Sequence, residues 1–95
     1  MKTYRNLRVA GLIREKLSGL MLKECAFENA LVTIVEAEVD EDLKGARIKL
    51  GIVPKEKAGE VMLYLERMRR VLQFKLGRVM NIKPMPTIRF EMAKE

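Results

Sequence analysis

The stretch LERMRRVLQFKLGRVM, residues 65–80, holds five cations, Arg67, Arg69, Arg70, Lys75 and Arg78, against one acid, Glu66. Groups of this kind at this density do one thing well. They bind phosphate oxygens, arginine through a flat fork of N–H donors and lysine as a point charge. One ring, Phe74, stands among them. Other chemistries find little footing. The chain has no histidine, the commonest general base and metal ligand. Its one cysteine, Cys25, permits neither an internal disulfide nor a thiolate zinc site. Gly45 and Gly51 fit no phosphate-loop spacing. The acids of EAEVDED, residues 36–42, are numerous enough for a hard cation. However, Glu36 and Glu38 alternate along a strand, and Asp40, Glu41 and Asp42 read as a turn. We therefore expect no metal, no cofactor, no small-molecule substrate and no enzymatic activity.

The cations need an element to hold them. A helix from about residue 56 to residue 80 does so, with Val61, Leu65, Met68, Leu72, Leu76 and Val79 as an inward stripe of threes and fours. Advancing ~100° per residue from Val61 puts Arg67, Arg70 and Arg78 on the far side, with Phe74 and Leu63. Arg69 and Lys75 fall on the flanks. A solvated helix face usually mixes its charges, because like charges at helical spacing cost a few tenths of a kcal/mol per pair. A face of one sign points to a polyanionic partner. Phe74 has two readings: stacking on a base, or a helix bend near residues 69–73 that turns the ring toward a loop or the first helix. Five aromatics in the whole chain favour the bend, and favour recognition of shape and phosphate over a stacking platform.

The remaining elements follow from periodicity. Residues 4–23 predict an amphipathic helix, with Val9, Leu12, Ile13, Leu17, Leu20 and Met21 at helical spacing and Thr3 as a candidate cap. KECAFENA reads as a loop. Residues 30–39 predict a strand whose late alternation sets Val35, Ala37 and Val39 against Glu36 and Glu38. Residues 46–53 predict a second, with Ala46, Ile48, Leu50 and Ile52 inward and Arg47 and Lys49 outward. Paired antiparallel, the two place Glu36 and Glu38 near Lys49 and Arg47, and such cross-strand pairs help fix register. Pro54 ends the second strand, and Asn81 and Pro84 end the long helix. Residues 87–92 predict a third strand with Ile88, Phe90 and Met92 inward. The order α-β-β-α-β predicts an α+β fold, a three-stranded sheet covered by helices on one face.

At 95 residues the chain is read as one domain, residues 1–95. The net charge of +6 and pI near 9.7 favour polyanions. The charge is uneven: +5 over residues 1–23, −7 over 24–43, +3 over 44–60 and +5 over 61–95. No apolar run approaches the ~20 residues of a membrane helix, and MKTYRNLRV lacks the apolar core of a signal peptide. A cytoplasmic location is expected, with no membrane partner.

Together these residues resemble the ribosome-binding factor A family across nearly the whole length. The matching places are Arg8-Val9-Ala10 in the first helix, then Thr33, Asp42-Leu43, Ala46, Arg47, Ile48 and Leu50 through the hairpin, and Pro86, Ile88 and Phe90 at the last strand. The resemblance implies a KH-like fold of type II. It also implies an RNA-binding, non-enzymatic factor that attaches to the small ribosomal subunit and aids maturation of its rRNA. The family carries Ala-x-Gly where its long helix kinks. Here Met68, Arg69 and Arg70 occupy those places, and Gln73 stands where an arginine usually follows, which leaves the bend open. The expected RNA contacts are Arg67, Arg69, Arg70, Lys75, Arg78 and Phe74, extended by Lys2, Arg5 and Arg8 and flanked by Lys83. The expected partners are small-subunit rRNA and the small subunit, with the free protein a monomer. Two alternatives stay open: a generic KH-like binder of single strands, and a module whose basic face meets an acidic protein.

Overall fold

The computed structural model describes residues 4–94. Its elements are α1 (Tyr4–Glu24), β1 (Leu31–Val39), β2 (Gly45–Val53), a 3-10 turn (Lys55–Lys57), α2 (Ala58–Met80) and β3 (Thr87–Met92). The sheet order is β1-β2-β3, with β2 antiparallel to β1 and parallel to β3. Both helices cover one face of this sheet, the two-layer α+β arrangement expected from the element order, as the KH-like fold implied by the resemblance requires. The parallel step from β2 to β3 needs a crossover, and α2 is that crossover.

The core is built from the inward faces. Ile13 and Leu17 of α1, Leu65, Leu72 and Leu76 of α2, Ile48 and Leu50 of β2 and Ile88 of β3 have no exposed surface. Each fully buried side chain of this size stabilises the fold by roughly 1.5–3 kcal/mol before entropy is counted. Polar ties set the edges. The Asn6 amide donates to the carbonyls of Val39 (3.2 Å) and Asp40 (2.6 Å), which pins the start of α1 to the turn between β1 and β2.

Several expectations need correction. α2 begins at Ala58, because the first three residues after Pro54 form the tighter 3-10 turn. Val79 does not join the inward stripe and is 53% exposed. At that end Met80, Ile82 and Met85 pack against the core, so the inward direction turns away from Val79. Val35 points outward, because a β-bulge between Ile34 and Glu36 shifts the alternation by one residue. A Cβ at Gly51 would stand 3.3 Å from Val35 Cγ2, so the glycine gives the bulged side chain its room. Met92 is exposed at the end of β3, while Phe90 is half-buried. Likewise Leu12 of α1 is more open than its spacing suggests. Thr3 lies outside the described residues.

The sequence leaves the bend open; α2 runs as one continuous α-helix through Met68, Arg69 and Arg70, with no break at those places. Asn81 ends it in the left-handed region (φ 49°), donating its N–H to the Gly77 carbonyl at 3.0 Å.

Candidate nucleic-acid interface

The buried stripe of Val61, Leu65, Leu72 and Leu76 fixes the rotation of α2 and so decides what it offers to water. Arg67, Arg70 and Arg78 are exposed and none has a carboxylate partner among the described residues. Phe74 sits among them, 63% exposed, and the Arg78 guanidinium lies over its ring at 5.7 Å from the centroid. The ring therefore does not turn toward a loop or toward α1. The helix is unbroken here, and the ring keeps its position on the far side. Leu63 and Val71 add exposed apolar surface to the same helix. An arginine resting on a phenylalanine makes a flat cationic shelf.

The flanking cations behave differently. Arg69 Nε donates to Glu66 Oε1 at 3.0 Å, one turn away. Lys75 Nζ reaches Glu24 Oε1 at 2.8 Å, across to the end of α1. Both charges are therefore partly spent inside the molecule, and the charge left unpaired on α2 is that of three arginines. Lys83 is exposed in the segment between α2 and β3. Arg5 and Arg8 are exposed on the first turns of α1, at the end held by Asn6. Lys2 lies outside the described residues.

Gln73 has a role that sequence reasoning does not disclose. Its Nε2 donates to the Pro86 carbonyl (2.9 Å), and its Oε1 accepts from the Ile88 N–H (2.7 Å). The side chain thus acts as a single rung beside the start of β3 and ties α2 to the sheet edge. Only its position, one residue before the exposed ring and on the border of the apolar stripe, hints at this.

The open face of the sheet carries the hairpin ion pairs as expected. Glu36 lies opposite Lys49 and Glu38 opposite Arg47. Lys49 Nζ is 3.7 Å from Glu36 and also bonds Glu38, while Arg47 is 3.6 Å from Glu38. The hydrogen bond that Lys49 donates to Glu38 raises the Lys49 pKa above its ordinary value, partly opposed by desolvation, with the fields of Glu38, Glu36 and Glu91 adding to the rise. A hollow of about 470 Å³ opens between α1 and β1, with Cys25, Phe27, Ile34 and Arg14 in its walls. Burial, then the Glu24 charge, pushes the Cys25 thiol up, while a hydrogen bond with Tyr64 pulls it down, so the reactive thiolate is disfavoured. Among the described residues no three His, Cys, Asp or Glu side chains gather as a metal ion would need. None of their helices is long and apolar enough to cross a membrane.

Comparison with known proteins agrees with this architecture. The family model of ribosome-binding factor A matches residues 5–95. The ribosome-binding factor A of Chloroherpeton thalassium is 34% identical over 93 residues, covering 93% of this chain and 73% of that protein. That of Coprothermobacter proteolyticus is 26% identical, covering 97% and 68%. That of Methylocella silvestris is 29% identical, covering 94% of this chain but only 60% of its own length. Among solved structures, the crystal structure of ribosome-binding factor A from Thermus thermophilus superposes with a TM-score of 0.75 at 16% identity, over 92% of this chain and 94% of that one. A solution structure of a putative ribosome binding factor A from Thermotoga maritima reaches 0.79 at 19% identity, over 99% and 92%. A homology model of the Thermus thermophilus factor, fitted into a cryo-EM map of its complex with the 30S subunit, reaches 0.68 at 16% identity, over 96% and 93%.

Proposed function

The chain belongs to the ribosome-binding factor A family, and on that premise we propose that it is a ribosome-assembly factor. It binds the small ribosomal subunit and assists maturation of its rRNA through the solvent face of α2. The observation that carries this reading is the set Arg67, Arg70 and Arg78, exposed and without carboxylate partners among the described residues. Arginines left unpaired on one helix face repel one another, and an RNA backbone relieves that repulsion while releasing its counterions. The 30S complex of the Thermus thermophilus relative supports the choice of partner. The charges of Arg69 and Lys75 are partly compensated by Glu66 and Glu24, so their contribution is smaller. Lys83, Arg5 and Arg8 extend the surface. The protein acts in the cytoplasm as a monomer when free, as one KH-like RNA-binding domain, by binding and not by catalysis.

A second reading, a binder of single strands, is favoured by one specific observation. Phe74 is exposed on the cationic face, where a base can stack on it. The two readings share the arginines and differ in what the ring does.

The test is binding to isolated small subunits across salt concentration. Three neutralised phosphates predict a log–log slope of roughly −2 to −3. Changing Arg67, Arg70 and Arg78 together to Gln should remove that part of the slope. A wild-type affinity indifferent to salt would sink the electrostatic mechanism, and a partner that survives ribonuclease would replace RNA with protein.

A further inference from the structure

Arg47 and Arg89 are register partners on β2 and β3, side by side on the open face of the sheet. Two like charges directly opposite are destabilising in a sheet, and a neutral residue at either place would do better for the fold alone. The acids nearby do not resolve the clash. Glu36 and Glu91 lie in the next row with Lys49, and Glu38, the acid in the arginines' own row, is drawn to Lys49 as well. Arg47 sits 3.6 Å from Glu38, an acid it shares with Lys49, and Arg89 is exposed with no partner among the described residues.

The same two arginines line a hollow of about 330 Å³ with Lys44, Thr87 and Asp40. Three cations face one acid there. A second hollow, of about 340 Å³, shares Thr87 and Arg89 and continues to Arg69 and Glu66 of α2. A cationic path therefore leaves the helix, passes the start of β3 and reaches the open face of the sheet. Along it Glu66 is already held by Arg69. The Lys44 carbonyl accepts the Thr87 N–H at 2.9 Å, which holds the rim of the first hollow in place.

The geometry points to a second RNA-backbone seat made by Arg47, Arg89 and Lys44, on the face of the sheet opposite the helices, so that bound RNA turns around the start of β3. The inference rests on the RNA-binding reading of α2 and extends it to another side of the molecule. The ligand class follows from the donors: two guanidinium forks and an ammonium, presented at strand spacing to solvent, suit the phosphodiester oxygens of a folded RNA.

The experiment compares Arg89→Gln, the Arg47→Gln/Arg89→Gln pair, and Arg67→Gln/Arg70→Gln in the full chain. The probe is isolated small subunits, with affinity measured at several salt concentrations. The expected result is a slope flatter by about 0.7–0.9 for each sheet arginine removed. Affinity at low salt should fall about threefold to tenfold for Arg89→Gln, with the unfolding midpoint unchanged or raised because a like-charge pair is gone. Arg89→Lys should keep the slope, which separates charge from packing. If the sheet variants bind like the wild type while the α2 pair weakens, this seat does not exist and the α2 reading stands. If the wild-type protein shows no salt-dependent binding, both fall together. Binding that keeps its Arg89 dependence after ribonuclease treatment would assign the seat to an acidic protein and overturn it as an RNA site.

Discussion

On the open face of the sheet Glu36 stands opposite Lys49 and Glu38 opposite Arg47, with ion-pair distances of 3.7 and 3.6 Å. On the solvent face of α2 Arg67, Arg70 and Arg78 follow one another with no carboxylate partner among the described residues. Charge count does not distinguish the two regions; arrangement does. Across strands, opposite charges at register positions satisfy one another and penalise slippage, so their work is done when the sheet forms. Along the helix, charges of one sign leave a potential that only another molecule can satisfy. The exception on the sheet is Arg89, which stands beside Arg47 with no carboxylate partner among the described residues and so resembles the helix arginines more than its own surroundings. A surface charge is thus worth asking about when the fold gives it no partner, and less so when it is merely exposed.

The contrast can be broken most forcefully at the joint between the two regions. Gln73→Leu removes both hydrogen bonds that hold α2 to the start of β3 and leaves the Ile88 N–H without its acceptor. We expect a loss of roughly 1–3 kcal/mol in urea unfolding. Amide exchange should quicken at Ile88 more than in the hairpin; uniform exchange would mean the rung is idle. Phe74→Ala tests the helix side alone. The ring is exposed, so stability should stay within about 0.5 kcal/mol. Affinity for a single-stranded oligonucleotide should fall by about 1–3 kcal/mol if the ring stacks on a base, with the salt slope unchanged. A loss confined to stability would return the ring to a structural role. The smallest effect belongs to Glu38→Gln, which removes a carboxylate from both Lys49 and Arg47. The unfolding midpoint should drop by about 1–4 °C. Subunit binding should hold or improve as Arg47 is freed, whereas weaker binding would contradict the division of labour drawn above. The pH profile adds a check with a definite sign. The Lys49 pKa is raised in the folded protein, so its contribution is present at neutral pH and lost as the pH climbs through that raised value. The variant should show less of that alkaline loss.

Much of this architecture is legible in periodicity. The late alternation of β1 and the clean alternation of β2 predict the pairing of Glu36 with Lys49 and Glu38 with Arg47, and the structure has both. The stripe on α2 predicts which arginines face away. What escapes depends on events that spacing does not encode. Val35 reads as inward because a bulge is invisible to a period-two count. Val79 continues the helical stripe beyond the point where Met80, Ile82 and Met85 take over the packing against the core. The pairing of Lys75 with Glu24 needs the end of α1 laid beside α2, a contact between elements far apart in the chain. Aromatic count argues for turning Phe74 inward, and the deciding fact is the unbroken helix that holds it outward. The neighbourhood of Arg47 and Arg89 requires the parallel register of β3, which the strand pattern alone leaves undetermined.

The uninterrupted course of α2 has one more consequence. Arg67, Arg70 and Arg78 hang on one continuous helix at fixed intervals, and at ~1.5 Å of rise per residue the outer two are about 16 Å apart along it. An α-helix cannot curl to track a single wandering strand. Under the proposed RNA-binding role, the partner that suits this face brings phosphates at matching intervals, chosen by caliper and not by letter.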